Sequence, residues 1–222
     1  MNIGIERSIQ SLDLLTFVYV LIFVILIFVK LRFAKEFLSL CTCFFSKTFF
    51  IDYAIELSTS FSLFKAGLFL FQNLVFSVFL INMIAVFYPN TFMLESSMFG
   101  MLFLLVSLYF IFQYFFGYII SVFFRFTDLY KSVFALKFSY LKVISLILLP
   151  MLLYQNYGVY EDRVFVGTVV TVIFLILLLL SFVLFVINNN KIIIERLFYF
   201  ILYLCALEIA PLLIVYKIAV NK

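Results

Sequence analysis

Six stretches of this chain, at about residues 12–29, 66–88, 98–124, 143–157, 164–187 and 197–216, are almost free of charged side chains. A helix that rests on a soluble core keeps one polar face, and these stretches have none to offer. Twenty residues of helix rise about 30 Å, enough to cross the hydrocarbon of a bilayer. The sequence therefore predicts an all-α polytopic membrane protein with six transmembrane helices. The segment at 143–157 is shorter than the others and carries Pro150.

Composition agrees. Sixty-eight per cent of the residues are hydrophobic and 12% charged, too few polar side chains to cover a soluble domain of 222 residues. There is no tryptophan, so an aromatic belt at the headgroups must come from the 14 tyrosines. The first apolar run lacks a positive start and a small-residue cleavage site and is followed by LRFAKEF, so it reads as an anchor and not as a signal peptide.

The net charge of +4 does not describe a nucleic-acid partner, because the Lys and Arg residues flank apolar runs and form no stripe. They do orient the chain. Connections at 30–65, 125–142 and 188–196 hold eleven of the 15 basic residues, and the other side holds Arg7, Arg163, Lys217 and Lys222. The positive-inside rule then places both termini outside the cytoplasm.

Two of the cytoplasmic connections are amphipathic. Between 33 and 62, Phe37, Leu40, Phe44, Ile51, Ile55 and Phe61 recur at near-helical intervals among Lys35, Glu36, Lys47, Asp52 and Glu56. Between 126 and 141, Leu129, Val133, Leu136 and Tyr140 share a face, and Lys131, Lys137 and the following Lys142 can stretch toward headgroups over apolar stems. Both segments are expected to lie at the membrane surface. Lys35, Lys47, Lys131 and Lys137 are the expected contacts to anionic lipid or to a partner.

Histidine is absent, which removes His-ligated zinc, imidazole-ligated haem and the histidine-based triads from this chain. Cys41 and Cys43 form a lone CxC with Cys205 far away, so no metal site and no cofactor is expected. Walker, dinucleotide and zinc-protease motifs are also missing. The outer connections, PNTFMLESS and QNYGVYEDR, are too short to be domains.

Polar residues within the apolar runs are the candidate site. Glu208, twelfth of the twenty residues at 197–216, falls near the bilayer centre, where an ionised carboxylate facing lipid costs a few kcal/mol or more. It should face a bundle interior, a water-filled cavity or a partner. Pro211 leaves the carbonyl of Leu207 without its amide, and Pro150 does the same to Leu146. Gln72, Asn73, Asn82 and Gln113 can hydrogen-bond between helices, while Gly100, Gly117 and Gly167 read as packing notches. A buried contact through Glu208 and a proton or ion path through it both remain open.

The C-terminal run FYFILYLCALEIAPLLIVYK, residues 198–217, resembles an uncharacterised integral-membrane family of Bacteroidota known only as a domain of unknown function. The likeness extends over most of the chain, with Glu208 and Pro211 in matching positions. It implies a Gram-negative inner-membrane protein and carries over no catalytic or ligand residues. The expected role is a non-enzymatic scaffold or accessory subunit of an envelope complex, in contact with membrane lipid, other membrane proteins or a second copy of itself. A small ion- or proton-coupled transporter using Glu208 is the alternative, and a lipid-modifying enzyme the third reading.

Overall fold

The computed structural model describes residues 13–42, 63–87, 96–123, 127–158 and 163–188. These residues form α1 (Asp13–Arg32), α2 (Ala34–Thr42), α3 (Leu63–Phe87), α4 (Ser96–Phe123), α5 (Thr127–Tyr157) and α6 (Arg163–Asn188). Every helix but α2 contains a run long and apolar enough to cross a membrane: Leu14–Arg32, Leu63–Val86, Met98–Phe123, Phe134–Tyr157 and Val164–Leu184. The molecule is a multi-pass, all-α membrane protein with five such helices among the described residues. The sixth expected span, 197–216, lies outside them, as does the connection from 43 to 62.

Local chemistry explains where several elements begin and end. Lys30 and Arg32 occupy the last turn of α1, where positive charge complements the helix dipole. The chain leaves the helix only at Phe33, whose amide still reaches the Val29 carbonyl at 2.9 Å, and Phe37 repeats the bond to Phe33 at 3.0 Å. The Phe33 ring meets Phe64 at 5.6 Å, so the bend into α2 is held against the start of α3. At the other end of the bundle the Gly158 amide closes the last turn of α5 on Tyr154 at 2.8 Å.

One element departs from the sequence expectation. The interfacial segment at 126–141 and the short span at 143–157 are a single helix of 31 residues. Nothing between Tyr140 and Val143 stops a helix, since glycine and proline are absent there and Leu141 and Lys142 are good helix formers. Burial also continues across the expected boundary through Leu136, Tyr140 and Ile144. Pro150 sits inside this helix on an exposed face without interrupting it. Proline is tolerated within membrane helices when its freed carbonyl is accommodated locally.

α3 is the axis of the bundle and packs against α1, α4, α5 and α6. Its residues from Phe71 to Phe79 are all buried. Phenylalanines tie the neighbours to it. Phe110 of α4 meets Phe69 and Phe76 of α3 at 6.5 and 5.9 Å and Phe138 of α5 at 5.4 Å. Phe174 of α6 meets Phe79 at 4.5 Å and Phe76 at 5.9 Å. Tilted and edge-on aromatic pairs of this kind add about 1 kcal/mol each beyond simple burial. A second, smaller cluster joins Val29 of α1, Leu40 of α2, Phe64 and Leu68 of α3, and Val143 of α5.

Glycine notches are real at three places and not at a fourth. Space for a Cβ at Gly67 is filled by Val29, at Gly117 by the Tyr130 ring, and at Gly167 by Val86 and Gln155. Gly100, expected as a notch, faces open space instead.

Candidate functional site

Hydroxyl and amide side chains inside the bundle meet different fates. Ser77, Ser139, Ser145, Thr168 and Thr171 each donate to the carbonyl four residues earlier on their own helix, at 2.7–2.8 Å. Their hydroxyls are satisfied without any partner helix. Of the amides inside the bundle only Asn156 of α5 finds a local solution of this kind, donating to the Leu152 carbonyl at 2.9 Å. Both amide atoms of Gln72 and of Asn73, the nitrogen of Asn82 and the nitrogen of Gln113 are buried without a hydrogen bond among the described residues. Each such group costs about 1–3 kcal/mol by protein mutational data.

The four amides separate into two levels. Gln72 and Asn73 lie on the turn of α3 that Phe110 straddles between Phe69 and Phe76, and Gln113 follows Phe110 by one turn on α4. Gln72 and Asn73 thus hold both N–H donors and carbonyl acceptors closed off from water. Asn82 belongs near the opposite end, beside Tyr19 of α1. There Asn156 of α5 donates to the Tyr19 hydroxyl at 2.7 Å and to the Leu152 carbonyl at 2.9 Å. Thr16 and the Tyr157 hydroxyl share a bond of 2.7 Å, and the Tyr19 and Tyr157 rings are 5.8 Å apart. This outer group clasps α1, α3 and α5 through polar contacts. Thr171 of α6 adds a contact of 2.6 Å to the Met83 sulfur.

At the opposite end, Tyr130 of α5 lies over Gly117 and donates to the Tyr114 carbonyl at 2.9 Å. Burial, and then the neighbouring Tyr114, hold its phenol above the ordinary range. Only a glycine at 117 lets the ring approach the α4 backbone so closely. The contact locks the α4–α5 hairpin.

Lys142 is the largest surprise among the charged residues. Expected to stretch toward headgroups, it is only 4% exposed. It adjoins Val143 in the small cluster between α1, α2, α3 and α5, and Lys65 adjoins Phe64 of the same cluster. A signal for this burial was present in the spacing Phe138, Lys142, Ser145, Leu149, Leu152, all buried and all on one helical stripe.

The remaining candidates are dispersed. Lys35 of α2 and Lys131 of α5 are exposed, and Lys137 is half-buried. Pro150 faces outward, away from the buried amides of α3. Glu208, Pro211 and Lys47 lie outside the described residues, as do Cys43 and Cys205. Among the described residues no group of three or more Cys, Asp or Glu is placed to hold a metal ion.

A family model described as "Domain of unknown function (DUF4271)" matches residues 15–219. No curated protein and no solved structure matches the chain.

Proposed function

Because the chain belongs to the DUF4271 family, and is built as a multi-pass membrane bundle, we propose that it is a non-enzymatic subunit that scaffolds or anchors partners in an envelope complex of a Gram-negative bacterium, in the inner membrane. The observation that carries this reading is the density of large aromatic side chains on the open face of α4, which the still more open α6 does not match. Only 17% of the α4 apolar run is buried, and Phe112, Phe115, Phe116, Tyr118 and Phe123 stand exposed along it. Large aromatic side chains supply contact area at low entropic cost, which suits them to anchoring another helix. Partners are other membrane proteins or a second copy of the chain, together with lipid; no nucleic acid is involved.

Extraction in native lipid with co-purifying chains retained tests this. A photo-crosslinking residue at Phe116 should capture a reproducible protein partner, and one at buried Val75 should not. Recovery of the protein solely as a monomer, with Phe116 crosslinking only to lipid, would sink the proposal. The charge distribution further implies both termini outside the cytoplasm, so a C-terminal reporter should read the extracytoplasmic side.

One observation favours a second reading, a small ion- or proton-coupled transporter: the amides of Gln72 and Asn73 and the Gln113 nitrogen, which have no hydrogen bond among the described residues. Buried donors and acceptors without partners are groups that a passing ion, water or proton carrier could satisfy. Glu208 would be the titrating member. Glu208→Gln keeps the hydrogen-bonding shape but carries no titrating proton, so full function in that variant removes a proton path, and loss of assembly in Glu208→Leu alone assigns Glu208 to a structural contact.

A further inference from the structure

The bend between α1 and α2 keeps the helical register. Phe33 bonds back to Val29 and Phe37 to Phe33, each across four residues. One stripe, Val29, Phe33, Phe37 and Leu40, therefore runs through the bend facing the bundle, where it packs with Phe64, Leu68 and Val143. The opposite stripe is Val24, Phe28, Leu31, Lys35 and Leu38, at intervals of four and three residues. Its apolar members are between 55% and 79% exposed. On α1 this is the outward side of a membrane-crossing run that ends at Arg32. Lys35 thus stands on the lipid side, just past the end of that run, with an exposed leucine on either side of it along the stripe.

Depth follows from the buried stripe. Leu40 shares its cluster with Phe64 and Leu68 at the start of α3, so α2 stays at the level where one apolar run ends and the next begins. That is where a bilayer passes from hydrocarbon to headgroup. Lys30 and Arg32 are exposed at the same end, and Arg32 precedes Lys35 by three residues, the spacing of neighbours on a helix face. Glu36 is the one acidic residue between 30 and 38, which leaves this stretch at +2. Among the described residues none of the three basic side chains is ion-paired. Such long side chains lay their stems on apolar surface and extend their charge to phosphates. Arginine adds a planar fork that takes two phosphate oxygens at once.

We propose that the α1–α2 corner binds an anionic phospholipid, its phosphate held by Arg32 and Lys35, with Lys30 as a flanking cation and Leu31 and Leu38 against the acyl chains. The occupant is lipid because the basic residues interrupt a stripe that already faces outward along α1, and their charge complements a phosphate. The corner is open on that side, so the headgroup arrives laterally and no packed helix has to move. This site is separate from the α4 face invoked for partner binding, and either can fail without the other.

The chain contains no tryptophan, so Leu31→Trp places a single fluorescent reporter at the corner. Leu179→Trp places one on α6, at a position 65% exposed and away from the corner. Each full-length variant is reconstituted in mixed phosphatidylcholine and phosphatidylglycerol, one of the two carrying brominated acyl chains that quench on contact. Position 31 should prefer phosphatidylglycerol by about fivefold, the effect of one basic side chain near an anionic lipid, and position 179 should show no preference. Adding Arg32→Gln and Lys35→Gln together leaves Lys30 against Glu36 and should bring position 31 to parity. Salt, which screens exposed charges, should lower the preference too. Equal preference at the two positions overturns the proposal, since the whole protein then gathers anionic lipid without a site. An unchanged preference in the double variant overturns it. If that variant does not fold, a preference insensitive to salt does the same. A reporter at position 31 that neither lipid quenches assigns the corner to a protein partner and overturns it as well.

Discussion

α3 and α6 invert the rule learned from soluble proteins. α6 is the more apolar of the two by composition, yet 11% of its membrane-crossing run is buried, against 61% for α3. In water the most apolar helix would be the most enclosed. In lipid the solvent is as apolar as leucine, so nothing drives α6 inward. What is enclosed is what lipid cannot satisfy: Gln72, Asn73, Ser77 and Asn82 of α3 are all buried. Polarity, and not hydrophobicity, marks the axis of this bundle.

The comparison is broken most readily by matched truncations. Ile81→Ala on α3, where the side chain is fully buried, should cost about 2–5 kcal/mol through lost packing and the cavity left behind. Leu179→Ala on α6, 65% exposed, should change stability by about 0.5 kcal/mol or less. Equal losses, measured by steric trapping in bicelles, would show that α6 is covered by protein.

Glycines give a second matched pair. Gly117→Ala should destabilise by about 1–3 kcal/mol because its methyl meets the Tyr130 ring. Gly100→Ala, facing open space, should be neutral or stabilise by up to about 1 kcal/mol through better helix propensity. Thermal unfolding in mild detergent distinguishes the two.

Tyr130→Phe removes the bond to the Tyr114 carbonyl and should cost about 1 kcal/mol near neutral pH. A pH series sharpens the result. Since the folded-state phenol sits above its ordinary value of 10.0, the folded chain holds its proton when the unfolded chain begins to lose it. Stability from this source is complete below pH 10 and declines as pH rises beyond it. The alkaline decline should be smaller in Tyr130→Phe.

The smallest effect is expected where polarity looks most costly. Gln72→Met removes two amide atoms that have no hydrogen bond among the described residues, so the lost contacts and the relieved desolvation should cancel to within about 1 kcal/mol. A loss of several kcal/mol would mean that the amide already holds a water, an ion or another chain.

Legibility in the sequence followed the strength of each physical signal. The apolar runs behind α1, α3, α4 and α6 are long enough that lipid alone explains them, and they were readable without coordinates. The amides at 72, 73, 82 and 113 were also visible, because a polar residue in an apolar run needs a reason. Their division into an outer group around Tyr19 and Asn156 and an inner group around Phe110 was not. Hydroxyls and amides on five residues of three helices meet only once the helices are docked. Lys137 and Lys142 interrupt the hydropathy of α5 while its helical stripe runs through them, so its continuity is not visible in hydropathy.

What the sequence by itself determined is the solvent: so many apolar residues in so few runs can be stable as helices only where lipid surrounds them. The tertiary structure alone decided which helix is enclosed and which lysine is buried. Hydropathy reports how a segment partitions between water and lipid, a property of the segment in isolation. Inside the membrane that preference is already spent, and packing of Phe110, Phe174 and the glycine notches then selects which helix faces inward.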